Sequence, residues 1–483
     1  MPDWPAMRSF NLALSLLLLA AEILVLLRAI LRPNRDPAAR LAWVMVIVMA
    51  PIVGMLAYLL LGEARVSMGR RQRGIEIDKA LPRPPGDKAA PKRLVSGRHD
   101  APFALARTIN GLDPTSGNSA TLAADSNVAI DEMCADAGAA KQTVHASFYI
   151  WLDDTNGLKV KDAFIRAARR GVKVRALADA LGSHRLIRSS HWSDLKEAGV
   201  EVRVALPVGS LLWTMIRGRV DLRNHRKAMI VDNCIAWVGS QNAADPEFRI
   251  KPHYAPWVDI MTRWEGPVAR HCQFLFVSDW MSEHGEDLSD LLRGPAPAKK
   301  GAIIAQVIGT GPTLRFDAMP TTFDETIHSA RHELILTTPY FVPDEQLLFA
   351  LTAAARRGVR TVLVLPKRID SRIVAATCRS YFADLLDAGV ELYQYRCGLL
   401  HAKTMVVDGT IGLIGSANLD RRSFELNFEN NILFADEAFA KVIRKRQDSY
   451  IADSDRVTAE QVAAFTIGQR LWANFMAMLS PLL

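Results

Sequence analysis

The chain has 483 residues, too many for one compact core and enough for two. Its 49% hydrophobic and 23% charged residues exclude a disordered chain, and its five scattered cysteines, without a CxxC pair, exclude a disulfide framework. The formal net charge is +8, and much of it is local: between Arg65 and Asp100, ten Lys or Arg stand against four Asp or Glu.

In chain order, the first run, Asn11 to Ile30, is interrupted only by Glu22 and Arg28, and the second, Leu41 to Leu61, carries no charge. Each is about long enough to cross about 30 Å of hydrocarbon. Together they predict a two-helix transmembrane hairpin over 1–64, and the second run argues against a cleaved signal peptide. Arg28, Arg32, Arg35 and Arg40 flank the turn, while Arg8, Arg65, Arg70, Arg71, Arg73 and Lys79 lie at the outer ends. The larger group favours a multi-pass protein whose catalytic region is cytoplasmic. Residues 65–100, rich in Pro, Gly and basic side chains, read as a linker that also suits anionic headgroups.

Beyond it, short β-branched runs alternate with helical patterns, the mark of an α/β fold. An internal repeat organises them. AARRGVKVRALAD from Ala167 returns as AARRGVRTVLVLP from Ala354, and LKEAGVEVRV from Leu195 returns as LLDAGVELYQ from Leu385. HRKAMIVDNCIAWVGSQN from His225 returns as HAKTMVVDGTIGLIGSAN from His401, a period of 176 residues. The expectation is two homologous domains, 101–295 and 296–483, each a mixed sheet flanked by helices, packed about a pseudo-two-fold axis around one composite site.

Each copy contains H-x-K-x4-D-x6-G-S-x-N: His225, Lys227, Asp232, Gly239, Ser240, Asn242, then His401, Lys403, Asp408, Gly415, Ser416, Asn418. Alternation along a strand puts His and Lys on one face, where an imidazole can attack phosphorus and an ammonium can hold its oxygens. Ser240, Asn242, Ser416 and Asn418 are candidates to bind the phosphate. Asp232 and Asp408 belong to the catalytic motif, though structural ion pairing is the favoured reading of their side chains.

This paired motif resembles that of the phospholipase D superfamily. WVDIMTRWEGPVA, LTTPYFVPDEQLL, GSANLDRRSFELNFE and the N-terminal apolar runs extend the resemblance to the bacterial cardiolipin synthases over nearly the whole chain. The resemblance implies phosphatidyl transfer between two phosphatidylglycerol molecules through a phosphatidyl-histidine, without metal or cofactor, in the bacterial inner membrane. It also implies a carboxylate after each motif: Asp259 lies 34 residues past His225 and Glu429 lies 28 past His401, both candidates to orient a histidine. The symmetric motif leaves the nucleophile undecided; the resemblance leans to His225, with His401 as general acid.

Water or another alcohol as acceptor is the alternative, then a nuclease, which the membrane segment disfavours, or an idle scaffold, which two intact motifs disfavour. No nucleic-acid partner is expected, and no aspartate cluster suggests a CDP-alcohol transferase. His184, His191 and His253 read as solvated; Tyr149 and Tyr340 read as core or pocket lining. Ile467, Leu471, Trp472, Phe475, Met476, Leu479 and Leu482 form a helical stripe suited to packing or to a membrane surface. The first repeat also carries 14 extra residues before His225, where Leu211, Leu212, Trp213, Met215 and Ile216 precede Arg217 and Arg219, expected to meet lipid or core.

Overall fold

The structure, a computed structural model, describes residues 4–32, 37–62, 66–87, 99–207, 221–313, 315 and 317–479. The segment holding Leu211 to Arg219, and Leu482, lie outside the described residues. Two units of seven principal strands follow one another. The first has β1 (Thr115–Leu122), β2 (Thr143–Phe148), β3 (Lys173–Asp179), β4 (Glu201–Ala205), β5 (Ala228–Val231), β6 (Ile235–Gly239) and β7 (Met261–Glu265). The second has β8 (Ile303–Thr310), β9 (Glu333–Thr337), β10 (Arg360–Pro366), β11 (Glu391–Tyr395), β12 (Thr404–Val407), β13 (Ile411–Gly415) and β14 (Asn427–Ala435).

Within each unit the order is the same. In the first, β2, β3 and β4 are parallel, and β5, β6, β7 and β1 continue antiparallel from β2. In the second, β9, β10 and β11 are parallel, and β12, β13, β14 and β8 continue antiparallel from β9. The equivalent strands β1 and β8 pair antiparallel, which places a pseudo-two-fold axis at their seam and fuses both units into one sixteen-stranded sheet.

The crossover helices follow from the repeat. Thr155–Arg169 buries Val160, Ala163, Phe164 and Ala167 at three- and four-residue spacing, and Asp154 caps it by accepting from the Gly157 amide. Its counterpart Glu345–Arg356 is capped by Asp344 on the Leu347 amide. Both are followed by a glycine in left-handed backbone, Gly171 at φ 90° and Gly358 at φ 87°, so glycine recurs there in both copies.

The N-terminus departs from the expected hairpin. Helix Trp4–Leu31 contains one apolar stretch, Asn11–Leu31, long enough to cross a membrane. The second run is instead two helices, Pro37–Met49 and Pro51–Leu61, folded back on each other. Trp43 and Tyr58 meet edge to face at 5.4 Å, although a straight helix would part them by about 22 Å. Pro51 lacks the amide needed to continue the helix, and Gly54 has no room for a Cβ against the Val46 carbonyl. At about 20 Å and 16 Å, neither helix alone spans about 30 Å of hydrocarbon.

The basic segment after it is only partly a linker. Met68–Ala80 is a helix, docked by Arg70 on Glu283 at 2.5 and 3.1 Å and by buried Ile77. Leu81 is buried too, and Arg83 lies over the Phe274 ring at 4.8 Å. At the other terminus, helix Ile467–Leu479 packs on helix Arg372–Ser380.

Candidate active site

Two short ribbons, exchanged between the units, build the centre. Arg223–Asn224 runs parallel to Asn427–Phe428 of β14, and the His225 amide donates to the Phe428 carbonyl at 2.9 Å. Leu399–Leu400 runs parallel to Trp257–Val258, and the His401 amide donates to the Val258 carbonyl at 2.8 Å. Each histidine is thus registered on the other unit's carboxylate-bearing segment.

The side chains complete this exchange. His225 Nδ1 lies 3.0 and 2.9 Å from the two Glu429 oxygens, and His401 Nδ1 lies 2.6 Å from Asp259 Oδ1. The carboxylates therefore pair across the units, not with the histidine that precedes them in sequence. With a carboxylate accepting at Nδ1, that nitrogen carries the hydrogen and Nε2 is left for chemistry. Tyr149 meets the His225 ring edge-on at 5.0 Å, while Trp257 lies tilted against His401 at 4.8 Å.

Lys227 and Lys403 are buried, and each Nζ donates to the carbonyl of its own histidine at 2.7 Å. Burial pushes Lys227 well below the usual ammonium value and Lys403 down to about 8. Burial, then Lys227 and Lys403, pushes His225 well below its usual value. His401 is lowered by burial and Lys403 but supported by Asp259. Burial raises Glu429 to about 7, against the pull of Lys227 and of hydroxyl and amide donors. Burial acts on Asp259 in the same sense, yet the His401 charge and hydrogen bond outweigh it and hold its carboxyl below the usual range. A neutral ring at His225, a ring at His401 whose protonated form Asp259 supports, and lysines held below their usual range suit nucleophilic attack and proton transfer at an anionic phosphorus centre.

The other motif residues divide. Ser240 and Ser416 do not face outward as phosphate ligands: Ser240 Oγ donates to Asp259 at 2.5 Å and Ser416 Oγ donates to Glu429. Each also accepts an amide, from Ile260 and Asn430, so the serines fix the carboxylates. Asn242 Oδ1 accepts from the Ile150 amide at 3.0 Å, and Asn418 Nδ2 donates to Asp420 at 3.3 Å. Both asparagines are buried beside the histidines' strands.

Asp232 and Asp408 stand at the far ends of β5 and β12, about 20 Å of strand from their histidines. Their partners are not the expected cations. Asp232 accepts from the amides of Lys141, Gln142 and Thr143, and Asp408 from those of Arg331, His332 and Glu333. Both have left-handed backbone, φ 49° and 50°, so each closes a turn and neither joins the reaction centre. His184 and His253 are exposed and His191 is half-buried beside Asp194.

Four groups near the centre carried no motif signal. Tyr340 Oη donates to Asp370 at 2.6 Å, and Lys251 of the first unit reaches the other Asp370 oxygen at 2.6 Å. Asp179 at the end of β3 accepts from the Asn224 amide at 3.0 Å and faces Arg223. Asp179 follows the repeated AARRGV segment, and only that placement hinted at it.

Comparison with known proteins gives a consistent set. The family described as "Cardiolipin synthase, PLD-like domain" matches residues 133–254 and 323–451, and a phospholipase D-nuclease N-terminal family matches residues 23–63. Cardiolipin synthase A of Erwinia tasmaniensis is 36% identical over 95% of this chain and 96% of its own length. That of Edwardsiella ictaluri is 34% identical over 95% and 96%. The crystal structure of phosphatidylserine synthase from Haemophilus influenzae Rd KW20 shares the fold at a TM-score of 0.57 and 13% identity, covering 75% of this chain and 95% of that one.

Proposed function

Since the chain belongs to the cardiolipin synthase family of phospholipase D-like phosphatidyltransferases, we propose that it joins two phosphatidylglycerol molecules into cardiolipin and releases glycerol. The observation that carries this reading is the pair of crossed histidine–carboxylate bonds, which gives one centre two imidazoles with Nε2 left for chemistry. His225 is the nucleophile. Its Nε2 attacks the donor phosphorus as the P–O bond to glycerol breaks, and His401 gives that oxygen its proton. The headgroup hydroxyl of a second phosphatidylglycerol then loses its proton to His401 and displaces His225, so the phosphodiester is rebuilt. Lys227, Lys403, Asn242 and Asn418 hold the phosphoryl oxygens, where charge develops. Asp259 and Glu429, fixed by the serines, position the rings.

His225 suits the first role because burial and the neighbouring Lys227 and Lys403 keep its ring neutral; His401 suits the second because Asp259 beside it supports its protonated form. Residues 101–295 and 296–483 act as the two domains, with the body on the cytoplasmic face of the bacterial inner membrane. The fold-back of Pro37–Leu61 supports that side: it returns the chain to the face where helix Trp4–Leu31 ended. Arg28, Arg32 and Arg40 then join Arg70, Arg71, Arg73 and Lys79 on one side.

The test is to incubate the purified protein with phosphatidylglycerol labelled in its headgroup glycerol. Cardiolipin and free glycerol in equal amounts are expected. Phosphatidic acid with no cardiolipin would make water the acceptor and overturn the reading.

A further inference from the structure

The reaction centre lies at one end of the sheet. The parallel strands β2, β3 and β4 finish there: Tyr149 follows β2 and meets His225, Asp179 ends β3, and Leu206 follows β4. In the second unit Asp370, four residues past β10, bonds Tyr340 and Lys251 and acts on the Lys403 charge.

Two apolar elements reach this same end from opposite flanks. On the first, Val66, four residues past Gly62 at the end of the apolar helices, packs with Leu206, Leu222 and Leu426. The membrane segment therefore enters the body beside the mouth. On the second, helix Arg372–Ser380 starts two residues past Asp370 and lies against the ribbon of Phe341–Val342 with Leu419–Asp420, directly after Asn418. The C-terminal helix Ile467–Leu479 packs on that helix through buried Ala473 and Met476. Its other face presents Ile467, Leu471, Trp472, Phe475 and Met478, between 53% and 78% exposed. Arg372, Arg379 and Arg470 are exposed on the same pair of helices. An apolar stripe rimmed by arginines fits the headgroup boundary of an anionic bilayer.

We propose that Ile467–Leu479 is a second membrane contact, an interfacial helix that, with the N-terminal anchor on the opposite flank, presses the mouth of the site against the lipid surface. The single anchor at one flank would leave the body free to tilt; a contact at the other flank fixes the mouth toward the bilayer. This deepens the reading of the site as acting on bilayer lipid, and its first test does not depend on which reaction the site performs.

The full chain, with exposed Cys234 and Cys397 changed to Ser and Leu471→Cys carrying an environment-sensitive fluorophore, is reconstituted in phosphatidylethanolamine–phosphatidylglycerol vesicles. Blue-shifted emission, quenched by brominated lipid and resistant to aqueous iodide, is expected. Iodide quenching as strong as in detergent would overturn the proposal. So would protection from both quenchers, which would mean that a second copy of the chain or another protein covers the face. A second measurement uses Trp472→Asp with Phe475→Asp, both at exposed positions. Turnover of vesicle phosphatidylglycerol should fall severalfold while turnover of a short-chain, micelle-dispersed analogue holds. Equal losses on both, with unchanged thermal stability, would overturn it as well. If the site proved to act on another lipid, the quenching result would stand by itself.

Discussion

His225 and His401 occupy equivalent places in two copies of one unit, and each donates to a carboxylate of the other copy, yet the two pairs differ electrostatically. Glu429 is raised to about 7 by burial, whereas Asp259 is held below the usual carboxylate range by His401. The longer Glu429 side chain spreads its oxygens over His225, Ser416 and Asn427; Asp259 uses one oxygen for both His401 and Ser240. In the roles proposed for the two rings, the supporting carboxylates, not the rings themselves, supply the difference.

The harshest way to break this division is to remove the rings. His225→Ala and His401→Ala should each lower turnover by about 10³-fold or more while the protein stays folded. Labelled phosphate should accumulate on His225 in the His401→Ala protein and not the reverse; trapping on His401 would exchange the roles. Next, Asp259→Asn and Glu429→Gln should each cost roughly 10²- to 10⁴-fold in kcat, by loss of ring orientation. Asp259→Asn should cost more, because the charge it removes is fully formed near neutral pH. The opposite order in steady-state assays would mean that the His225 pair carries the acid step.

A smaller effect sharpens the lysine contribution. Lys403, pushed down to about 8, is an ammonium below that pH and a neutral amine above it. The kcat/KM of the free enzyme should therefore fall as pH rises through about 8, by up to about tenfold per unit. A profile flat across that range would remove Lys403 from phosphate binding. Smallest in turnover, Asp232→Ala and Asp408→Ala should leave the rate per folded molecule unchanged. Each strands three backbone amides and puts Ala in left-handed backbone, for a loss of about 1–3 kcal/mol in denaturant unfolding.

The α/β duplication and the paired histidines and lysines were legible in the sequence because both are local: spacing fixes which side chains share a strand face. The crossing of Glu429 and Asp259 was not legible, since it depends on how Arg223–Asn224 and Leu399–Leu400 dock on the opposite unit. Nor did spacing reveal that Ser240 and Ser416 turn toward those carboxylates, or that Asp232 and Asp408 collect amides at the far end of the sheet. The fold-back of the second apolar run could have been read. Pro51 stands mid-run, where it cannot supply the amide that one continuous helix needs. Helical spacing puts the C-terminal apolar residues on one stripe, yet Met476 is buried and Met478 joins the exposed side.

The seam between β1 and β8 has a consequence for how the chain is made. Thr115 pairs with Ala305 and Asn118 with Ile303, so partners some 190 residues apart must meet before the sheet is continuous. On an emerging chain, the first unit can form β1 against β7, but the start of β1 stays an open edge until β8 has left the ribosome. Open edges invite pairing with other chains, and closing so long a loop is slow. The same nascent chain already carries its apolar N-terminal helix, which would hold each molecule at its own place on the membrane during that wait. Newly made copies would then have little chance to complete one another's sheets by mistake.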